Sequence, residues 1–172
     1  MSLPVVPTQY VPKYFTIQEL VSKSIYEEFL KKGKVYQLYW FLKNTTLYTL
    51  DKLREAHGPI IVNNWKGGGQ FSQCGLRDIK AVVSGGASWS QHYFGTAMDC
   101  HFTKTTAAKV RSTMESMDLF TTSAWRTDPD PKYDPYRYIA VIERSYQGKP
   151  CSWFHFDTRN QSADGAIVVL DI

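Results

Sequence analysis

The sequence predicts an α+β domain, in which a small antiparallel sheet packs against several helices. Helical signals crowd the first third of the chain, and short β-branched or aromatic runs follow without regular βαβ alternation. Length is the third observation. With 172 residues, 43% of them hydrophobic and 21% charged, the chain makes one domain that buries a core without staples. Residues 1–14, with three prolines, are expected to form an extended arm, and residues 15–172 a single domain.

The elements follow in order. Thr16 and Glu19 fit a capping box that starts a helix through about Val21. Ser24 and Glu27 repeat the signal, Gly33 is the stop, and Ile25, Phe29 and Leu30 suit one buried face. Residues 35–57 read as helical, with a Leu47, Leu50, Leu53 stripe and Gly58-Pro59 as the terminator. Ile60-Ile61-Val62-Asn63-Asn64 is a strand. Gly67-Gly68-Gly69 reads as a surface loop, since no Lys-Ser/Thr follows as in a phosphate loop. The segment from Gln73 to Arg77 leads into a region ending at Gly85-Gly86.

Ala97 to Phe102 is a strand whose alternation puts Ala97, Asp99 and His101 on one face. Thr105 caps a helix with apolar positions Ala107, Val110, Met114 and Met117. Pro129, Pro131 and Pro135 among aspartates mark residues 126–136 as a loop. Tyr138–Glu143 and Trp153–Asp157, joined through Gly148-Lys149-Pro150, are expected to pair as an antiparallel hairpin, with Ile167–Leu170 as a further strand.

Composition narrows the function. The formal charge of +4 is mild and the basic residues are scattered, so nucleic-acid binding is not indicated. Such a surface still favours an anionic polymer by steering. Aromatics at 15% mean a ring-rich core or a groove lined for sugars or peptides. Three cysteines without C-x-x-C spacing predict reduced thiols and cytoplasmic synthesis. No signal peptide and no membrane-spanning run is visible, so membrane insertion is not expected; oligomeric state is unreadable.

The ligand chemistry concentrates in Ser90-Gln91-His92-Tyr93-Phe94-Gly95-Thr96-Ala97-Met98-Asp99 and in Ser152-Trp153-Phe154-His155-Phe156-Asp157. Imidazole and carboxylate are good zinc ligands, and three of them leave a fourth position open. In isolation either His92 or His155 would more often be structural than ligating. His57, ending a helix, complements the dipole, and His101 is a core or surface residue.

The spacing Ser90-x-His92-x-x-Gly95-x-Ala97-x-Asp99, followed by Trp153-x-His155, resembles the zinc D-alanyl-D-alanine peptidases, which share the hedgehog fold and include carboxypeptidases and phage endolysins. Phe15-Thr16-x-x-Glu19-Leu20, Leu53-Arg54-Glu55-x-x-Gly58-Pro59-Ile60 and Gly75-Leu76-Arg77 extend the resemblance over most of residues 15–160. It implies a zinc site of His92, Asp99 and His155, a zinc-bound water as nucleophile, and peptidoglycan stem peptides as substrate. Arg77 would hold a substrate carboxylate or developing oxyanion, or else form a structural ion pair. Ser90 would bind within the loop or touch substrate. Action would be at the bacterial cell wall, after release or from a virion.

The sequence departs from the family at Ser152, three residues before the last histidine, where many members carry the acid that serves as general base. Glu143 is the preferred substitute, since a hairpin would bring it near Ser152; Asp157 is expected to support a ligand from behind. The alternative is a catalytically weak or inactive zinc-stabilised binding or virion-structural module of the same fold. A cysteine hydrolase using Cys100 or Cys151 lacks a supporting nucleophile motif. Carboxypeptidase and endopeptidase cleavage remain equally open.

Overall fold

The computed structural model describes residues 10–80, 90–159 and 165–172. Gly85-Gly86 lies outside them, as do residues 1–9 of the expected arm. The described part of that arm is tied down. Asp51, 2% exposed on the long helix, accepts from the Tyr10 hydroxyl at 2.8 Å and from the backbone N–H groups of Lys13 and Tyr14.

The fold is mixed α and β. Helix α1 (Ile17–Leu20) starts with the expected Thr16–Glu19 box, and α2 spans Lys23–Lys31. Ser22, not Ser24, precedes α2, and Leu30 is 54% exposed, so only Ile25 and Phe29 of its expected face meet the core. The long helix expected over 35–57 is two elements: a 3-10 helix, Val35–Phe41, and α3, Asn44–His57. The break falls at Leu42-Lys43, where the backbone turns extended. Leu47, Leu50 and Leu53 are fully buried, each stabilising the fold by about 1.5–3 kcal/mol relative to exposure.

Strand β1 is Ile60–Ile61, β2 is Ala97–Phe102 as expected, and α4 is Ala107–Ser116. Thr106 rather than Thr105 caps α4, its hydroxyl accepting the Lys109 N–H at 3.2 Å. Then come β3 (Val141–Tyr146), β4 (Lys149–Pro150), β5 (Phe154–Asp157) and β6 (Val168–Asp171). The expected hairpin forms, but β3 begins later and runs further than Tyr138–Glu143. Lys149-Pro150 is strand rather than connection, and the turn is Gln147-Gly148, both with positive φ.

The sheet order is β1-β2-β5-β3-β4, antiparallel throughout, with β6 added parallel to β3. Between Ser145↔Pro150 and Ile142↔Phe156 the register slips by three residues, so the chain bulges around Cys151–Trp153. Arg111 of α4 ties down that bulge by donating to the carbonyls of Cys151 and Trp153.

Alternation gives the sheet two different faces. Met98 pairs with Phe156 and Cys100 with Phe154, and these four join the core cluster with α3 and α4, which both pack on β2. Asp99 and His155 point the other way. Among the described residues no helix is long and apolar enough to cross a membrane.

Candidate metal centre

The β2–β5 register sets Asp99 directly opposite His155, on the sheet face turned from the helices. Cross-strand neighbours on one face stand about 4.5–5.5 Å apart at Cβ, so a carboxylate and an imidazole placed there must meet. His155 Nδ1 donates to Asp99 Oδ1 at 2.7 Å.

His92 arrives from outside the sheet, on the 3-10 turn Gln91–Phe94. Ser90 caps that turn, its Oγ accepting the His92 backbone N–H at 3.4 Å. Gly95 ends it with φ 65°, and a Cβ there would overlap the Phe41 carbonyl oxygen, so no other residue fits. The imidazole is set by a second close approach. Gly75 passes so near the Leu20 carbonyl that a Cβ would overlap it, and the Gly75 oxygen faces His92 Nδ1 at 2.9 Å. A carbonyl only accepts, so Nδ1 carries the proton and the Nε2 lone pair points at the cluster.

Three donor atoms therefore face one another. His92 Nε2 lies 3.4 Å from His155 Nδ1 and 3.4 Å from Asp99 Oδ1. Ligand atoms about 2.0–2.1 Å from a tetrahedral ion are separated by about 3.3–3.4 Å. Two edges of the triangle already have that length; the hydrogen-bonded edge would open by about 0.6 Å to match. The residues are 1%, 8% and 6% exposed, so Asp99 is the member nearest solvent. The group can hold a metal ion.

The charges suit that role. Burial alone would raise the Asp99 carboxyl, but the hydrogen bond and charge of His155 hold it well below its usual range. Burial pushes His92 down further than Asp99 lifts it, leaving a neutral ring. Burial also lowers His155, yet the hydrogen bond and charge of Asp99, with the charges of Glu143 and Asp157, carry it above its ordinary value. A metal ion would displace that proton.

Comparison with protein-family models, with curated proteins and with solved structures finds no match. The site stands on its own geometry.

The remaining predicted residues divide around it. Arg77 Nη2 donates to Asp99 Oδ2 at 2.7 Å, with both side chains 12% exposed. Its Nε reaches the Gln73 carbonyl and its backbone N–H the His92 carbonyl. Arg77 thus occupies one Asp99 oxygen and leaves the other to the cluster, the ion-pair side of the two expectations.

Glu143 lies across from His155 and brings Oε1 to 3.7 Å from Nε2, the ring nitrogen turned away from Asp99. Among the described residues it is the one carboxylate besides Asp99 within ion-pair distance of the three. Ser152 is exposed on the bulge, lining a cleft with Tyr146, Lys149 and Trp153. Asp157, fully buried, binds the Arg159 guanidinium and acts on His155 through its charge.

The other histidines are structural. His57 meets the Tyr136 hydroxyl at 2.7 Å, and burial lowers its pKa, so it does not serve as the cation expected at the end of α3. His101 stacks on Phe71 with centroids 3.8 Å apart. Burial pushes up the Cys100 and Cys151 thiols, and raises Cys74 to about 12, which argues against thiolate chemistry. Sequence reasoning missed Asn63, whose side chain accepts the Cys74 N–H and donates to the Val21 carbonyl. That clamp holds the strip whose Cys74 carbonyl accepts the Asp99 N–H at 2.7 Å. Nothing in its local sequence separates Asn63 from an ordinary strand-end residue.

Proposed function

We propose that this chain is a zinc metallopeptidase of the D-alanyl-D-alanine type, with the hedgehog/DD-peptidase fold, hydrolysing peptidoglycan stem peptides. The observation that carries the reading is the convergence of His92 Nε2, Asp99 Oδ1 and His155 Nδ1 on one enclosed point at near-tetrahedral separations. The sequence pattern supports it, since this is the ligand set that the resemblance implies.

His92, Asp99 and His155 would hold the ion, which supplies Lewis acidity toward a peptide carbonyl and toward water. Gly75 fixes the tautomer of His92. Arg77 keeps Asp99 single-sided, and Asp99 and Glu143 contact opposite nitrogens of the His155 ring. Glu143 is the base of choice, because among the described residues it is the remaining carboxylate within ion-pair distance of one of the three, His155, and its side chain is 17% exposed, within reach of a proton from solvent or substrate. The site would act on the cell wall, after release or from a virion.

A second reading, a zinc-stabilised binding or virion-structural module, draws on one observation. Glu143 touches His155 at the nitrogen remote from the cluster, and the usual acid position holds an exposed serine.

Metal analysis of the purified protein with a peptidoglycan digest separates the two. The peptidase reading expects about one zinc per chain and released peptides from wild type, with both lost in His155→Ala. Stoichiometric zinc without any released peptide sinks the enzyme and leaves the module. Full zinc occupancy in His155→Ala removes the third ligand.

A further inference from the structure

Five of the large apolar side chains left exposed fall on three adjoining elements, α2, the 3-10 helix after it and the turn that carries His92: Leu30 at 54%, Tyr36 at 62%, Trp40 at 63%, Phe41 at 53% and Phe94 at 53%. Four are aromatic. Phe29 of α2 meets Phe41 edge-on at 5.6 Å, and Tyr36 meets Trp40 at 6.0 Å and 86°. The metal loop adjoins the 3-10 helix where the Lys43 N–H donates to the Gly95 carbonyl at 3.0 Å and Gly95 presses on the Phe41 backbone. Phe94 is two residues from His92. Lys31, which ends α2, and Lys34, just before the 3-10 helix, are both exposed and, among the described residues, in no ion pair.

Large aromatic side chains exposed together on adjoining elements mark a binding face. Its chemistry selects among occupants. Crossed rings with Tyr and Trp polar tips make a stepped surface, which suits a chain of pyranose rings, each with a C–H-rich face and a hydroxyl rim. The unpaired lysines complement the carboxylates of peptides carried by such a chain. The shelf also ends at the metal loop, where a strand bound on it would present its side peptides.

We infer that this aromatic shelf binds the amino-sugar strand of the peptidoglycan whose stem peptides enter the metal centre. The inference rests on the peptidase reading for its choice of polymer. The shelf raises local concentration of the polymer and contributes nothing to the chemistry of a short peptide.

The test is cosedimentation of the zinc-loaded full chain with purified insoluble peptidoglycan, in the cold, for wild type, Trp40→Ala, the Tyr36→Ala/Trp40→Ala double variant and Lys31→Gln/Lys34→Gln. Thermal melting checks that each variant is folded; the changed residues are exposed. The double variant is expected to weaken polymer binding at least tenfold and the lysine variant at least threefold. Hydrolysis of a short soluble stem peptide should stay within twofold of wild type. Binding unchanged in the double variant overturns the inference. So does aromatic-dependent binding to vesicles of mixed phosphatidylglycerol and phosphatidylcholine with none to peptidoglycan, which would assign the shelf to a membrane surface. Aromatic-dependent polymer binding with no hydrolysis of any peptide supports the shelf and removes the peptidase; intact hydrolysis with aromatic-independent binding does the reverse.

Discussion

Substituting Glu143 by Gln keeps the side chain's size and removes its charge from beside His155. Oε1 stands 3.7 Å from Nε2. Two unit charges at that distance interact by about 1 kcal/mol in water and about 4 kcal/mol at the effective dielectric of a partly enclosed site. A carboxylate behind a ligating imidazole is worth about 10–100-fold in metal affinity, which lies inside that range. The expected result is therefore a zinc dissociation constant raised 10–100-fold, read by competition with a chromophoric chelator. A separate effect is expected on turnover. At saturating zinc, kcat for a soluble stem peptide should fall about 10²–10⁴-fold if Glu143 moves the proton, with KM changed little. Wild-type kcat at saturating zinc would refute Glu143 as the base. A dissociation constant within twofold of wild type would refute the contact through His155. Both together would remove Glu143 from the site.

Arg77→Ala breaks a largely enclosed ion pair with Asp99, and the metal-free protein should lose about 3–5 kcal/mol. For a chain of this size that is a melting temperature lower by roughly 6–20 °C, with a smaller loss once zinc is bound; a shift under 2 °C contradicts the pair. Gly95→Ala puts a Cβ against the Phe41 carbonyl at positive φ, so little folded protein, or a loss above about 2 kcal/mol, is expected by circular dichroism. His57 gives a pH signature. Burial places its folded pKa below the unfolded value of about 6.5. The unfolded chain therefore takes the proton first, and stability is lost as pH falls below about 6.5 and is untouched above it. Urea midpoints at pH 7.5 and 5.5 should drop less in His57→Gln than in wild type; an equal drop assigns the acid sensitivity elsewhere.

Much of the site was legible because its parts lie on short, strongly patterned segments. Alternation in Ala97–Phe102 places Asp99 on one face of β2 without reference to any partner, and β2 has the bounds the sequence predicts. The Leu47, Leu50, Leu53 stripe names the buried face of α3. Boundaries fared worse where propensity alone decided them. Residues 35–57 carry continuous helical signals, yet the chain breaks at Leu42-Lys43, where the Lys43 N–H pairs with Gly95 rather than within a helix. Only the folded chain brings residue 95 there.

What the sequence by itself determined is the set of side chains: two imidazoles and a carboxylate of ligating type on short patterned segments, and a succession of helices before strands. What only the tertiary structure decided is who faces whom. The register that sets Asp99 opposite His155 depends on β2 and β5, whose facing residues stand 56 positions apart in the chain, and sequence periodicity carries no information on register between distant strands. The same holds for Arg77, whose guanidinium ends on Asp99 Oδ2, 22 positions away in the chain. It holds for Glu143 as well: the sequence offered a carboxylate near His155, and the fold placed it on the ring nitrogen turned away from Asp99.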